Sequence, residues 1–272
     1  MSRFLGISRE PEFSPGKVED DRAILEMTAA RLRERGHAAD VCGADAEVWP
    51  VATDATVVFT MAQGGRALDR LQQWAVRGVR IINRPEGILN CQRHRTVAAF
   101  AQTDVAFPET ALLATTEATR VPAWVSAAGA WVKRGDVHAT EADDVVYVAD
   151  MNAARDALRR FQVRGIASAV VQRHIAGTVL KFYAVRGGFF HCVPPTAGGE
   201  TPKETARRID ALGRRAADIL GVEVYGGDCV VGVNGELTLI DLNDWPSYAP
   251  CRARAAGEIA AYVLAQIKAT ES

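Results

Sequence analysis

Two aspartates near the C-terminal end of the sequence have the spacing of facing residues in a β-hairpin. The segment 228–241 reads DCVVGVNGELTLID, and its Asn234-Gly235 pair is typical of a two-residue hairpin turn. If these two residues form the turn, Asp228 lies directly opposite Asp241 in the antiparallel pair. Because two carboxylates that face each other repel, we expect a cation between them.

A third oxygen donor follows two residues after Asp241, where strand alternation puts Asn243 on the same face. Two carboxylates and an amide oxygen, without thiolate or imidazole, suit Mg²⁺. Val230 and Leu239 are predicted to share that face, and unpaired charge on a largely apolar face is unfavourable. The sequence therefore predicts a Mg²⁺ site at Asp228, Asp241 and Asn243, rather than two aspartates that are merely solvated at a hairpin base.

Two lysines interrupt apolar strands earlier in the chain. Lys133 follows AWV, and Lys181 lies within VLKFYAV, where an uncompensated ammonium group would be unfavourable. A bound phosphate would compensate either charge. Lys181 is flanked on its own face by Val179 and Tyr183, whereas Lys133 could also extend its ammonium to water from a strand end. The two lysines thus favour a phosphorylated ligand, more strongly for Lys181.

The composition is that of an ordinary globular protein. The 272 residues are 48% hydrophobic and 24% charged, with a formal net charge of -1, so no basic excess indicates nucleic acid or an anionic membrane. No stretch approaches the ~18 apolar residues of a membrane span, and the first residues lack a secretory signal pattern. The five cysteines are widely spaced and odd in number. We expect a cytoplasmic protein with reduced thiols.

The first 84 residues alternate strand-like and helix-like patterns. Strands are predicted at 3–7, 56–60 and 79–82, and helices at about 21–35 and 66–77. No G-x-G-x-x-G follows the first strand, where the chain reads GISREPEF, so a dinucleotide-binding domain is disfavoured. This part is interpreted as a small α/β domain.

The rest of the chain has an α+β pattern. Strands are predicted at 130–133, 145–148, 168–173, 179–186 and 189–193, and helices at about 92–102, 152–163, 203–220 and 253–268. There is no internal repeat. The fold class is therefore α/β plus α+β.

Three segments, taken together and in order, carry a family resemblance. They are INRPEGILNCQRHRTVAAFAQTDVAFPET (82–110), VVQRHIAGTVLKFYAVRG (170–187) and GVEVYGGDCVVGVNGELTLIDLNDWPSY (221–248). They resemble the entry segment, the interdomain hinge with its following strand, and the metal-binding end of the ATP-grasp superfamily. The resemblance covers about 82–250 and is closest to the glutamate-ligase-like branch of carboxylate-amine or thiol ligases.

The resemblance implies a division of the chain. It implies an ATP-grasp fold in which residues 1–84 form a small pre-ATP-grasp domain and residues 85–272 form the ATP-grasp domain. Within the latter, it implies a middle subdomain at about 111–175 and a C-terminal subdomain at about 176–272.

It also implies residue roles, by position. The residues that would hold ATP are Arg93, Lys133, Asp136, His138, Gln172, Arg173, His174, Ile175 and Lys181. Of these, Arg93 and Lys133 would contact phosphates, the backbone of 172–175 would line the adenine pocket, and Asp136 with His138 would belong to the phosphate lid. Lys181 falls where the family has the basic catalytic residue beside the transferred phosphoryl group. The family's magnesium ligands fall on Asp228, Asp241 and Asn243, in agreement with the hairpin count.

The sequence departs from the family pattern in four places, one of which is that DWPSY (244–248) lacks the usual glycine after proline. Arg93 stands where a lysine is usual, and Val179 stands where many members have an acid. The segment KRGDVHATE (133–141) lacks the usual glycine-rich lid. These departures concern ribose contacts and the lid.

The implied activity is ATP-dependent ligation with Mg²⁺. A carboxylate is activated as an acyl phosphate, an amine or similar nucleophile attacks it, and ADP and phosphate are released. Arg9, Arg252 and Arg254 are candidates for binding the acceptor carboxylate. The implied partners are a small-molecule or peptide carboxylate and a nucleophilic co-substrate, without nucleic acid or membrane, and a homo-oligomer is left open.

Two other functions are compatible with the same residues. The inositol phosphate kinases resemble this fold and share a DxN-type ending, so a small-molecule kinase is the first alternative. The second is a regulatory protein that binds ATP without catalysis, which the altered lid and Arg93 suggest.

Overall fold

Three four-stranded sheets organise the chain. The computed structural model describes residues 3–53, 56–136, 141–194 and 199–268, and one sheet lies in each third of the sequence. None of the helices in these ranges is long and apolar enough to cross a membrane.

The N-terminal sheet is parallel. Its strands are β1 (Arg3–Ser8), β2 (Ala38–Gly43), β3 (Thr56–Thr60) and β4 (Arg80–Ile82), in the order β2-β1-β3-β4. Helices α1 (Val18–Glu34) and α2 (Gly65–Val76) bury apolar faces against it. The predicted α/β character of this part is confirmed. Strand β2 was not predicted because only Ala39 of its six residues is buried, so no alternation marks it.

The middle sheet is antiparallel. Its strands are β5 (Thr110–Ala114), β6 (Ala130–Arg134), β7 (Val145–Val148) and β8 (Ser168–Arg173), in the order β5-β8-β6-β7. Helices α3 (Pro85–Asn90) and α4 (Arg93–Phe100) lead into it, and α5 (Val125–Ala128) precedes β6. Helix α6 (Met151–Val163) buries Ala154, Leu158 and Phe161 in the core under this sheet.

The C-terminal sheet is also antiparallel. Its strands are β9 (Thr178–Val185), β10 (Phe189–Val193), β11 (Val224–Val231) and β12 (Leu237–Asp244), in the order β10-β9-β11-β12. Helix α7 (Lys203–Leu220) packs on one face and ends at Gly221, whose φ of 78° suits glycine. Helix α8 (Arg252–Lys268) packs against α1 in a core shared with the N-terminal sheet.

The predicted domain boundary at residue 84 falls between β4 and α3. The division into a pre-ATP-grasp domain, a middle subdomain and a C-terminal subdomain remains a prediction.

The turn between β11 and β12 differs from the predicted two-residue turn. The amide N–H of Gly232 donates to the carbonyl oxygen of Glu236 at 2.9 Å, so the loop holds three residues, 233–235. Gly235 adopts a φ of 77° in this loop, which glycine tolerates best. A three-residue loop by itself would shift every following pair by one residue.

A β-bulge cancels this shift. Cys229 on β11 pairs with Leu239 on β12. The preceding residue of β11, Asp228, pairs with Asp241, so Ile240 has no partner and is the extra residue in β12. The prediction that the two aspartates face each other is confirmed. The prediction that Leu239 shares their face is wrong, because Leu239 lies with Cys229 in the core on the other side of the sheet.

Candidate functional site

Three charged residues form a row across neighbouring strands of the C-terminal sheet. Lys181 on β9 lies opposite Asp228 on β11, which lies opposite Asp241 on β12. The Lys181 Nζ is 3.0 Å from the Asp228 Oδ1. Asn243 lies in the adjacent row, opposite Gly226, and lines a cavity together with Lys181 and Asp228. The structure thus brings together the four residues that the sequence predicted.

Burial and neighbouring charges act together on this row. Burial raises the pKa of Asp228, an effect that the charge of Lys181 opposes and that of Asp241 reinforces. Burial also acts to lower the pKa of Lys181, but the charge and hydrogen bond of Asp228 outweigh it, and the pKa is raised. Lys181 is therefore held as a cation next to Asp228.

The residues at this position fit a magnesium ion in chemistry. In the described residues, no three His, Cys, Asp or Glu side chains are grouped so as to hold a metal. The available donors are the carboxylates of Asp228 and Asp241 and the amide oxygen of Asn243, all hard oxygen ligands. Mg²⁺ is commonly bound through one or two carboxylates, with water and phosphate oxygens as its other ligands.

Lys133 is a buried cation whose two hydrogen-bond acceptors are neutral. Its side chain lies on β6 with 7% of the residue exposed. Its Nζ donates to the Gln172 Oε1 at 2.8 Å and to the Ile240 carbonyl at 3.3 Å. Burial lowers the pKa of Lys133, while the charge of Asp241 acts to raise it. In the described part of the chain, no carboxylate lies within ion-pairing distance of this ammonium.

The β-bulge supplies one of these contacts. Ile240 is the residue that the ladder leaves over, and its carbonyl oxygen points to the middle sheet. It also accepts a long hydrogen bond of 3.5 Å from the Gln172 Nε2. The bulge therefore links β12 to the strands β6 and β8 across the space between the two antiparallel sheets.

Arg93 lies between the two sheets at the start of α4. It is buried, with its guanidinium 3.6 Å from the Asp241 Oδ2, and it donates to the Arg134 carbonyl at 3.3 Å. Its position beside Asp241 and near Lys133 gives the site a second buried cation.

A first cavity of about 370 Å³ lies between the middle and C-terminal sheets. Its lining is mostly apolar around the charged groups just described. The lining residues are Arg93, Trp131, Lys133, Val145, Gln172, Arg173, His174, Ile175, Gly177, Val179, Asp228, Val230, Ile240 and Asp241. It therefore contains the predicted hinge residues 172–175 together with the predicted phosphate contacts.

An indole-imidazole hydrogen bond forms part of the wall of the first cavity. The Trp131 Nε1 donates to the His174 Nδ1 at 3.2 Å, and the ring of Tyr147 packs edge-on against both. Because an indole N–H can only donate, Nδ1 of His174 must be the acceptor. Neutral His174 therefore carries its proton on Nε2.

A second cavity of about 370 Å³ lies between the N-terminal sheet and the C-terminal sheet. Strands β9, β11 and β12 form one side of its wall, and the segment from Arg9 into α1 forms another. The lining residues are Arg9, Phe13, Ser14, Pro15, Lys17, Asp21, Arg93, Lys181, Phe182, Tyr183, Gly226, Gly227, Asp228, Asn243, Asp244, Pro246 and Ser247. Arg93 and Asp228 line both cavities, so the two meet at the charged row.

Two of the three arginines predicted to bind the acceptor carboxylate lie away from these cavities. The Arg252 guanidinium pairs with Asp20, and that of Arg254 lies 5.2 Å above the ring of Phe189. Neither lines the first or the second cavity. Arg9 does line the second cavity, but its guanidinium donates to the Met61 and Trp245 carbonyls.

The predicted lid residues have different outcomes. Asp136 forms a two-point ion pair with Arg134 at 2.9 and 3.1 Å and lies outside both cavity linings. His138 lies outside the described residues. The side chain of Arg173 pairs with Glu109, so only its position in the hinge places it at the first cavity.

Two buried residues of the second cavity, Ser14 and Asp21, carried no signal in the sequence. Ser14 and Asp21 are buried and hydrogen-bonded to each other at 2.7 Å, and Tyr183 lies two residues from Lys181 on the same face. Burial raises the pKa of Tyr183, so its phenol stays protonated at neutral pH. Alternation from Lys181 predicted the face on which Tyr183 lies, whereas no spacing marked Ser14 or Asp21.

Comparisons with known proteins bear on the fold. No protein-family model and no curated protein matches the sequence. Among solved structures, a RimK domain ATP-grasp protein from Sphaerobacter thermophilus matches with a TM-score of 0.70 at 20% identity, over 97% of this chain and 100% of that one. The chain has the ATP-grasp fold.

Two further ATP-grasp matches span the whole chain as well. D-alanyl-alanine synthetase A from Vibrio cholerae has a TM-score of 0.71 at 12% identity, over 98% of this chain and 97% of that one. The ATP-grasp ligase PsnB, complexed with a minimal precursor, Mg and ADP, has a TM-score of 0.64 at 15% identity, over 97% and 98%. The predicted ATP-grasp fold is confirmed.

Proposed function

We propose that this protein is a Mg²⁺-dependent ATP-grasp ligase that activates a carboxylate as an acyl phosphate for attack by an amine or similar nucleophile. The observation that carries the proposal is the meeting of two cavities at Arg93 and Asp228, beside the row of Lys181, Asp228 and Asp241. One cavity suits a nucleotide and the other suits an acceptor.

The first cavity supports nucleotide binding through Lys133. The Asp241 and Asp228 carboxylates act on this buried ammonium only from a distance, and a phosphate would give it a directly bonded counter-charge. Arg93 lies nearby as a second cation, while Trp131, Ile175 and Val230 offer apolar surface for a base. The cavity volume of about 370 Å³ lies in the usual range for small-molecule sites.

Asp228, Asp241 and Asn243 would hold Mg²⁺ beside the phosphates. The ion, when bound, would neutralise charge on the β- and γ-phosphate oxygens. Lys181 now pairs with Asp228. If the metal bound Asp228, Lys181 would be released to contact the transferred phosphoryl group.

The second cavity would hold the acceptor. A carboxylate oxygen attacks the γ-phosphorus, the bond to the β–γ bridging oxygen breaks, and ADP leaves. The amine then attacks the acyl carbon, phosphate leaves with the bonding electron pair, and the amine releases a proton. Lys181 and Arg93 line this cavity and would stabilise the charge on the phosphoryl oxygens.

The fold comparisons support the same reaction class. The matches include an ATP-grasp ligase complexed with Mg and ADP, the same ligase complexed with a precursor peptide, and a D-alanine–D-alanine ligase. A small-molecule or peptide carboxylate is therefore the acceptor class that we propose.

The test is a product analysis with an acyl-phosphate trap. The protein is incubated with Mg-ATP, a pooled metabolite extract and hydroxylamine, and ADP, AMP, free phosphate and acyl hydroxamate are followed together. Asp228→Asn is compared with Asp218→Asn, which changes an exposed aspartate paired with Arg186. We expect ADP and phosphate in equal amounts, depending on the pool, with hydroxamate accounting for the share of acyl phosphate that hydroxylamine captures, and the loss of all three only in Asp228→Asn.

Other outcomes would contradict the ligase. ADP without free phosphate or hydroxamate would indicate the small-molecule kinase. ATP binding without any pool-dependent turnover would indicate the regulatory protein, and AMP would exclude acyl-phosphate chemistry.

A further inference from the structure

A buried polar contact joins the N-terminal sheet to the strand that carries Asp241 and Asn243. Gln63 follows β3, and its Nε2 donates to both carboxylate oxygens of Asp244, at 2.8 and 3.0 Å. The two residues are 8% and 1% exposed. Asp244 is the last residue of β12 and directly follows Asn243.

Glu10 fixes the segment that presents Gln63. Its carboxylate, on a residue 5% exposed, accepts the backbone N–H groups of Gln63 at 3.0 Å and Gly64 at 3.1 Å. These amides precede α2, where a negative charge is favourable. Gln63 is therefore held at its backbone as well as at its side chain.

Arg9 makes a second connection between the same two regions. Its Nε donates to the Met61 carbonyl at 3.1 Å and its terminal nitrogens to Asp21 and to the Trp245 carbonyl at 3.1 and 2.9 Å. Most of the guanidinium donors are thus engaged by the protein itself. Arg9 therefore serves to hold the chain after β12, which differs from its predicted contact with an acceptor carboxylate.

The chain held by these contacts is strained. Trp245 and Tyr248 adopt φ values of 31° and 50°, and both are fully buried. Residues other than glycine rarely adopt such values, and they persist only where the surroundings impose them. This strained turn begins two residues after Asn243, so contacts that maintain the turn also fix the end of β12.

We propose that Gln63, acting through Asp244, is a positioning residue that keeps Asn243 and Asp241 where they can complete the Mg²⁺ site. The inference rests on the proposed function, since it concerns the same metal ligands. Groups that orient metal ligands without touching the metal commonly set its affinity. The N-terminal domain, which contributes no metal ligand of its own to this set, would thereby control metal binding.

Asn83 provides a matched control. It is a fully buried amide that also joins the N-terminal sheet to β11, donating to the Val224 carbonyl at 2.7 Å and accepting from the Glu223 and Val224 amides at 2.8 and 2.9 Å. Its contacts lie at the start of β11, away from the carboxylate pair. The Val224 carbonyl also accepts from the Trp245 N–H at 2.9 Å, a bond that does not need the Asn83 side chain. Removing it should weaken the domain contact without moving the metal ligands.

The experiment measures ADP binding by calorimetry across a series of Mg²⁺ concentrations and in EDTA, with the thermal unfolding midpoint of each variant. For Gln63→Ala we expect the half-saturating Mg²⁺ concentration to rise by up to about 10-fold, the lower end of the effect of losing a group bonded directly to a ligand, with ADP affinity in EDTA unchanged. For Asn83→Ala we expect a lower unfolding midpoint and an unchanged half-saturating concentration. Gln63→Met, which keeps the volume without the donor, replaces the alanine variant if that variant does not fold.

A double variant tests the contact itself. Gln63→Glu with Asp244→Asn exchanges donor and acceptor and should restore the half-saturating Mg²⁺ concentration, whereas Gln63→Glu alone should raise it. Equal Mg²⁺ dependence in Gln63→Ala and the unaltered protein, with ADP still bound, would overturn the positioning role alone. No Mg²⁺-dependent ADP binding in the unaltered protein would overturn the proposed function and this inference with it.

Discussion

The two cavities that meet at Asp228 place their lysines in opposite electrostatic situations. Lys133 in the first cavity is buried, and its acceptors Gln172 and Ile240 are neutral. Lys181 at the second cavity has a side chain that is 61% exposed and already pairs with Asp228. Among the described residues, the first lysine has no directly bonded carboxylate, whereas the second has one.

This difference assigns the two lysines to different tasks, nucleotide binding for one and phosphoryl transfer for the other. A cation without a counter-charge contributes to binding an anion as soon as the anion arrives. A cation that pairs with a carboxylate contributes only after another positive charge has taken over the carboxylate. We therefore expect Lys133 to act mainly in nucleotide affinity and Lys181 mainly in turnover, once Mg²⁺ has engaged Asp228.

The largest effect expected from this comparison is that of Lys181→Ala on turnover. Removing a cation that stabilises the charge of the transferred phosphoryl group should lower kcat by about 10²- to 10³-fold, with ADP affinity nearly unchanged. Steady-state kinetics and calorimetry provide the two measurements. Lys203→Ala, at the exposed start of α7, is the control. A large loss of ADP affinity in Lys181→Ala would erase the difference between the two lysines.

A smaller effect is expected for Lys133→Ala, and it should appear in affinity. Losing a charge-assisted contact to phosphate should weaken ADP binding by about 2 kcal/mol, roughly 30-fold. Calorimetry in the presence of Mg²⁺ measures the change. Lys133→Arg retains the charge and should recover part of the affinity. The comparison would fail if Lys133→Ala bound ADP as tightly as the unaltered protein.

The smallest effect is a dependence of ADP affinity on alkaline pH. Burial lowers the pKa of Lys133, so the folded protein loses this charge at a lower pH than an exposed lysine would. ADP affinity should therefore fall as the pH rises through the lowered pKa, and it should stay flat there in Lys133→Arg. Titrations of ADP binding at a series of alkaline pH values test this.

The same shift has a defined sign for stability. Between the lowered pKa of Lys133 and the ordinary pKa of lysine, the unfolded chain binds more protons than the folded protein. The free energy of unfolding should therefore rise with pH across that window, by the contribution of this group. Denaturant unfolding of the unaltered protein and Lys133→Met, compared across the window, would show the difference.

The part of the site that lies on regular strands could be predicted from the sequence. Hairpin pairing and alternation place Asp228, Asp241 and Asn243 on one face of two paired strands, and the structure confirms that arrangement. This prediction succeeds because side-chain direction in a strand follows from residue number alone. The family resemblance, rather than pairing, brought Lys181 to the site, and the structure places it opposite Asp228. The apolar strand around Lys133 was visible as well, but the sequence did not decide whether its ammonium reaches water.

The loop-built part could not be predicted in this way. Arg9, Asp21, Gln63 and Asp244 meet only because strands β1 and β3 end at the same edge of the parallel sheet and the turn after β12 reaches that edge. Nothing in local spacing connects residues that are 181 positions apart. The strained φ values of the turn likewise depend on packing rather than on a sequence signal.

Short elements were missed for a related reason. Helix α3 spans six residues, and β5 has a single buried residue, Leu113, so neither presents a periodic apolar face. The predicted two-residue turn was wrong because a glycine after asparagine suits a three-residue loop as well. The pairing of the aspartates was nevertheless right, since the bulge restores the register.

The bulge at Ile240 also bears on how this hairpin can change during evolution. A one-residue change in loop length would normally turn Asp241 to the other face of the sheet. Here the loop of 233–235 and the bulge compensate each other, so the facing pair is preserved. Homologous hairpins could therefore exchange a tight turn without a bulge for a wider turn with one. The number of residues between the two aspartates would stay the same, while the type of turn could change.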